Sequence, residues 1–302
     1  VFVCLFTPVF AQIPVNTLVQ IVKAEDELRF DATLVNLMKS KDAKIRTRAA
    51  LAVGRIGNDA AMPELIALLE KDSSAEVRTM AMFATGEIES IKGTDAILKI
   101  LNDAKTPDQL RARAVESAGK IAAANAKDEK SKTLGAAILE VLETENKRGN
   151  LQNREIVLLA ITAALRVRPE KTDVTVAKFL TNADARIRTD AGNTLARVRA
   201  KNANEIFRKM LTSDENAEAR ANAARALGAA EDKDALDILL KAAIEDEDSR
   251  VRVSATRSLG SLKDAKSADK LIERGEELLK FYKKEFYDIA PAEKNELLEI
   301  FK

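Results

Sequence analysis

Six arginines recur at one position of an internal repeat, and they are the side chains of this sequence best suited to bind an anion. Each follows an apolar residue and stands three positions before an alanine, as in Ile45-Arg46-x-x-Ala49. A guanidinium is planar and presents its N–H groups as a fork that fits a carboxylate, a phosphate or backbone carbonyls. The arginines are Arg46, Arg78, Arg111, Arg188, Arg220 and Arg252.

Two interpretations of this arginine column are open. In the first, the arginines form a ladder that binds an external anion. In the second, each guanidinium bridges to the helix-capping carboxylate or to a backbone carbonyl of an adjacent repeat. The second is favoured, because one directed contact in every repeat is typical of a structural role and the planar fork makes two directed bonds.

Residues for catalysis are scarce in this sequence. The chain contains no histidine, which excludes Ser-His-Asp and Cys-His arrangements and any metal site built on histidine. It has no Gly-rich phosphate loop. The acidic run at residues 245–248 lacks the turn glycine and the ligand spacing of a calcium-binding EF-hand. We therefore expect no catalytic activity, no metal and no cofactor.

The elements that position the arginines are short amphipathic helices, as residues 42–72 illustrate. Asp42 can cap a first helix with an apolar stripe, and Gly57 breaks that helix because glycine readily takes the positive φ that follows a helix end. Pro63 fits the first turn of a second helix. A single hairpin cannot bury both apolar stripes, so neighbouring hairpins must stack on it.

The anchor recurs seven times, with steps of 32, 33, 46, 31, 32 and 32 residues between its apolar residues. A near-fixed period of this length indicates a solenoid. Residue types that cap helices precede the anchors, with Val157 replacing arginine in the fourth repeat. The predicted N-caps are Asp42, Ser74, Thr106, Asn153, Asp184, Asn216 and Asp248.

The pattern D-x-x-[IV]-R-x-x-A-x-x-A-[LV]-G-x-[IL], followed by x-x-L-x-x-L-L, resembles the HEAT repeat. It is most similar to the short HEAT-like subtype first described in phycobilisome lyases. The resemblance implies an all-α, armadillo-like fold: a right-handed superhelical α-solenoid of about seven helical hairpins with atypical end units. HEAT repeats also share an Asp–Arg ladder, which supports the structural interpretation of the arginine column.

The resemblance also implies that second helices line a concave face, and it places one column of residues there. A solvated polar surface and a protein- or peptide-binding groove both remain open for this column. A nucleic-acid track is not expected, because the column mixes signs and lacks stacking aromatics. The candidate binding residues are Lys99, Glu140, Lys178, Lys209, Ile238 and Glu273, with Ala67 at the equivalent position of the first repeat.

The two ends of the sequence differ from the repeats. Residues 1–11 are uncharged, almost wholly apolar and too short to span a bilayer, and they end in Val-Phe-Ala, which fits the remnant of a secretory signal peptide. The alternative is an apolar segment packed on the first helix. We expect capping helices at residues 12–41, the array at 42–275 and C-terminal helices at 276–302 that begin a further, truncated repeat or fold back as a cap.

A net charge of +1 gives no overall attraction to nucleic acid or to an anionic membrane. The sequence therefore predicts a non-catalytic bacterial scaffold, exported to the periplasm or beyond, that binds a protein or peptide and does not span a membrane. The alternative is the accessory array of a larger exported enzyme, such as a cyclophilin-type prolyl isomerase.

Overall fold

The computed structural model of the protein describes residues 12–263, 265–284 and 291–302. For residues 281–284 and 291 it describes the backbone alone. The predicted signal-peptide remnant, residues 1–11, lies outside the described residues. Every regular element in the described part of the chain is helical, and no strand occurs there. The prediction of an all-α architecture is confirmed.

The chain divides into two compact bodies, Val1–Ala137 and Ile138–Lys302. The helices of the N-terminal body are α1 (Val15–Asp26), α2 (Ala32–Met38), α3 (Ala43–Ile56), α4 (Met62–Lys71), α5 (Ala75–Ile88), α6 (Thr94–Asn102), α7 (Asp108–Ala124) and α8 (Glu129–Lys147). Helix α8 continues into the C-terminal body. Those of the C-terminal body are α9 (Arg154–Val167), α10 (Thr172–Ala177), α11 (Ala185–Val198), α12 (Asn204–Ser213), α13 (Ala217–Ala229), α14 (Leu236–Glu245), α15 (Ser249–Leu262), α16 (Ala268–Lys284) and α17 (Pro291–Ile300).

The first repeat, α3 and α4, forms the predicted hairpin. The Asp42 carboxylate accepts a hydrogen bond from the Lys44 amide, and Gly57 ends α3 at φ 72°. Pro63 lies in the first turn of α4, where no amide is needed. Val53 of α3 and Leu65 of α4 are fully buried, so the apolar stripes of both helices face the same core.

Six of the seven predicted N-cap side chains accept hydrogen bonds from first-turn amides. These side chains are Asp42, Ser74, Asn153, Asp184, Asn216 and Asp248. The prediction is wrong at Thr106. Pro107 occupies the N-cap position of α7 without a side-chain cap, and the Thr106 hydroxyl instead donates to the Ile100 carbonyl at 2.9 Å.

Successive first helices lie close together where small residues meet. A Cβ built on Gly86 of α5 would lie 2.9 Å from the Ser117 Cα of α7, and one on Gly228 of α13 would lie 2.9 Å from the Ser258 Cα of α15. Ser258 Oγ donates to the Ala224 carbonyl at 2.8 Å. Glycine at this position therefore permits the helix spacing on which the stacking of repeats depends.

The last helix, α17, packs against α15 and α16. Its contact with α15 continues the series in which α11 contacts α13 and α13 contacts α15, as the first helix of a further repeat would. Glu296 of α17 is fully buried and accepts hydrogen bonds from Arg252 at 2.7 Å and Arg274 at 2.9 Å. These contacts dock α17 onto the seventh repeat.

Candidate binding surfaces

Three of the six column arginines form forked ion pairs with an aspartate of their own repeat. Nε and Nη2 of Arg188 donate to Oδ2 and Oδ1 of Asp214, both at 2.8 Å. Arg46 binds Asp72 in the same way at 2.7 and 2.8 Å, and Arg220 binds Asp246 at 2.9 Å for both bonds. Two bonds in parallel fix the guanidinium plane, which a single contact would leave free to rotate.

All six arginines also donate to backbone carbonyls in the segment that precedes their own repeat. Arg220 reaches the Asp214 carbonyl at 2.9 Å, and Arg252 reaches the Asp246 carbonyl at 2.8 Å. Asp214 therefore binds Arg188 of its own repeat through its carboxylate and Arg220 of the next repeat through its carbonyl. The carbonyl acceptors of the other arginines are Ser40, Lys41, Asp72, Leu101, Asp103, Asn182 and Ala183.

The expected contact with a backbone carbonyl of an adjacent repeat is present, but the expected carboxylate partner was wrong. The forked arginines do not bind the N-cap carboxylates but an aspartate at the C-cap of their own second helix, two residues before the next N-cap. This aspartate also accepts from the next cap's amide, as Asp72 does from Ser74 at 2.8 Å. Its sequence signal is a fixed offset of 26 residues from the arginine, in Asp72, Asp214 and Asp246.

The forked Arg–Asp pairs and the arginine–carbonyl contacts together form a ladder along the repeats, and the forked pair is missing where one of its residues is replaced. In the fourth repeat Val157 replaces arginine, and Asn182 stands two residues before the next N-cap, where the forked repeats have aspartate, so both members of the pair are neutral. Arg154 instead donates to Asp184 at 2.6 Å, from a side chain that is 61% exposed. Arg78 and Arg111 keep only their carbonyl contacts among the described residues.

The ion pairs of the ladder shift the titration of their members. The hydrogen bond from Arg46 lowers the pKa of Asp72 below its usual range, although burial opposes the shift. Burial also opposes the shift at Asp214, where hydrogen bonds from Arg188 and the Asn216 amide nevertheless lower the pKa. These carboxylates therefore remain ionised to a lower pH than an ordinary aspartate does.

The predicted binding column lies on or just after the second helices, and part of it is already engaged. Lys99 of α6 pairs with Glu70 of α4 at 3.0 Å, and Lys178 pairs with Glu143 of α8 at 2.7 Å. Such exposed pairs contribute little stability and can exchange partners at low cost. Glu140, Lys209 and Glu273 are exposed, and Ile238 is half-buried. Their binding role stays a prediction.

An open groove of about 580 Å³ lies in the N-terminal body between the end of α2 and α4. Pro63, Ala67 and Leu68 of α4 form one wall, and the ion pair between Arg46 and Asp72 lies at its base with side chains 13% and 5% exposed. The rim carries charges of both signs, Lys39, Glu64 and Lys71.

The groove contains no constellation for covalent or acid–base chemistry. Ser40 Oγ accepts from the Asp42 amide at 3.2 Å, which is a turn contact, and no histidine exists in the chain to activate it. Across the described residues, no three histidine, cysteine, aspartate or glutamate side chains converge as metal ligands. None of the described helices combines the length and apolar character that a bilayer crossing requires.

Comparison with known sequences returns one family. The family model described as HEAT repeats matches residues 31–119 and 204–277, more than half of the 302 residues. None of the curated proteins matches the sequence.

Solved structures share the architecture at low sequence identity. YibA from Escherichia coli is similar with a TM-score of 0.62 and 16% identity, over 97% of this chain and 99% of that one. An engineered protein gives 0.57 and 20% identity, over 95% and 81% of the two chains. The complex of CpcE and CpcF of phycocyanin lyase from Nostoc sp. PCC7120 gives 0.48 and 16%, over 89% and 92%.

Proposed function

Because the chain belongs to the HEAT-repeat family, as its Arg-x-x-Ala pattern suggested, we propose that it is a non-catalytic scaffold that binds a protein or peptide segment. Stacked repeats of this kind present extended surfaces rather than closed pockets. The observation that carries the proposal is the groove beside α4, with its apolar wall and its mixed charged rim.

The dimensions of the groove suit a short peptide. Its volume of about 580 Å³ falls within the range of roughly 300–1,000 Å³ that is typical of ligand sites. Pro63 and Ala67 are exposed and Leu68 is half-buried, so apolar area is available without unfolding. Lys39, Lys71 and Glu64 at the rim can fix the direction of a bound segment through charged hydrogen bonds.

The test is peptide selection followed by measurement of affinity. Peptides are selected from a phage-displayed random library against the purified wild-type protein. Their affinity for the Ala67→Arg variant should be about tenfold or more lower than for the wild type, because the long cationic side chain fills the groove. Ala123→Arg is the matched control, since Ala123 is also an exposed helical alanine but lies at the end of α7. Equal binding to both variants, or failure to select any peptide, would overturn the proposed site.

Export is proposed separately, on the composition of residues 1–11. Expression of the precursor in a bacterial host, followed by mass spectrometry of the product, should give a mature chain that begins at Gln12. Recovery of an uncleaved chain from the cytoplasm would contradict export without affecting the binding proposal.

A further inference from the structure

A strongly basic cavity of about 770 Å³ lies in the C-terminal body. The loop between α9 and α10 forms one side, and the loop between α11 and α12 forms the other. Five cations face this cavity against one carboxylate, that of Asp173. We call these residues the basic cluster: Arg168, Lys171, Arg197, Arg199 and Lys201.

No ion pair neutralises the basic cluster within the residues that the structure describes. All five side chains are exposed, and across the described part of the chain none of them makes a hydrogen bond or an ion pair. Other arginines of the same two repeats do have carboxylate partners, as Arg154 has Asp184 and Arg186 has Asp190. A chain with 49 basic and 48 acidic residues has enough carboxylates to neutralise such a cluster, so the local excess of positive charge reflects where residues are placed.

The backbone positions of two of these cations are unusual. Arg168 and Arg199 follow α9 and α11 in the left-handed conformation, at φ 51° and 55°. The equivalent residue after α3 is Gly57, which adopts this conformation without a Cβ clash. After α5 and α13 the equivalent residues are Glu89 and Glu231. The helix dipole therefore does not select a cation at this position, although a cation is favourable at any helix C-terminus.

We propose that the basic cluster binds an acidic stretch, rich in Asp and Glu, of a partner polypeptide. Guanidinium forks on two facing loops match the carboxylates of an extended chain, and Pro169 and Val198 offer apolar contact to its aliphatic parts. At the equivalent position of the next repeat the residue is the acidic Glu231, and no aromatic residue lines the cavity. A nucleic acid would require a longer basic track and stacking side chains.

The choice of a polypeptide as ligand depends on the proposed scaffold function, but the cavity is separate from the groove beside α4. The probe is a short fluorescent peptide of alternating Asp and Glu, measured by anisotropy at low ionic strength. The wild-type protein should bind it, binding should weaken as salt is added, and the isosteric Asn-Gln peptide should not bind.

The diagnostic variant is Arg168→Gly/Arg199→Gly. It removes two charges while placing glycine at positive φ, so the fold should be retained and the affinity should fall about tenfold or more. Lys263→Gly is the matched control, because Lys263 follows α15 at φ 54° and lies outside the cavity. Arg197→Gln/Lys201→Gln is a second variant that removes two positive charges. It introduces no glycine, and it should weaken binding similarly.

Three results would overturn the proposal. One is equal loss of affinity in Lys263→Gly, which would show a diffuse charge effect. Another is tighter binding of inorganic phosphate or of a short oligothymidylate than of the acidic peptide. The third is no binding of the peptide by the wild-type protein. None of these results bears on peptide selection at the groove beside α4, so failure of one site can be told from failure of the other.

Discussion

Arg188 and Asp214 join the first turn of α11 to the end of α12 by two parallel hydrogen bonds of 2.8 Å. Their side chains are only 17% and 5% exposed, so neither charge has ready access to water as a replacement partner. The pair therefore closes the hairpin of the fifth repeat.

Replacement of Arg188 by alanine should lower the free energy of unfolding by about 1–3 kcal/mol, because it leaves the buried Asp214 carboxylate without its main donor. Arg188→Lys should recover only part of the loss, since an ammonium cannot make the forked contact. Urea unfolding followed by circular dichroism measures both. Arg186→Ala is the control: Arg186 is 60% exposed and pairs with Asp190, so little change is expected. Equal losses in the two variants would contradict a structural role of Arg188.

Stability should decline in acid because of the ladder aspartates. Asp72 and Asp214 have folded pKa values below the ordinary value of 3.8. A carboxyl group whose pKa is lower in the folded than in the unfolded state stabilises the fold at any pH where it is ionised in both states. This contribution is lost as the pH falls below about 4 and through the folded pKa. Urea unfolding at a series of pH values should show this decline. It should be shallower in Arg188→Ala, and an identical slope in that variant would contradict the assignment.

Glycine to alanine substitutions at one repeat position should have opposite effects. A Cβ on Gly228 would lie 2.6 Å from the Ser258 Cβ and 2.9 Å from its Cα, whereas one on Gly260 would meet nothing within 4 Å. Gly228→Ala should therefore cost about 1–3 kcal/mol through overpacking. Gly260→Ala should stabilise by roughly 0.5–1 kcal/mol, because alanine loses less backbone entropy in a helix. Thermal melting compares the two, and destabilisation of similar size in both would refute the close approach of α13 and α15.

Hydrogen exchange should show that α17 depends on Glu296. In the wild-type protein, amides of α17 should be protected, because the buried carboxylate binds both Arg252 and Arg274. Glu296→Ala should accelerate their exchange by roughly tenfold or more, since two partly buried guanidinium groups lose their partner. Asn295→Ala changes an exposed neighbour on the same helix and should have little effect. Free exchange of α17 in the wild-type protein would mean that the helix is not docked.

Much of the fold could be predicted from this sequence, because each repeat carries its own helix signals. Asp42 and Gly57 mark the start and end of α3 in the sequence, and both do so in the structure. Thr106 is the exception, since a hydroxyl that suits a helix cap also satisfies a carbonyl near the end of the preceding helix. Local residue type does not distinguish these two bonds.

The partners of the arginines were harder to predict than their positions. The column is evident from periodicity, but the choice between an N-cap and a C-cap carboxylate depends on how the hairpin closes. The basic cluster was missed altogether. Its signal is the repetition of Arg-Val-Arg at residues 166–168 and 197–199, one repeat apart. Only the stacking of α9 on α11 brings the two loops to one cavity.

The ladder in the C-terminal body has no missing member between the fifth repeat and the last helix. Arg188, Asp214, Arg220, Asp246 and Arg252 alternate in charge, and Glu296 accepts from the final arginine. In stacked repeats, each repeat is held by the contacts it makes with its neighbours. Here α17 supplies Arg252 with a carboxylate, so the seventh repeat is joined to α17 by the same kind of bond that closes the forked repeats. Opening of this segment should therefore be cooperative, with α11 through α17 melting as one block instead of peeling away repeat by repeat.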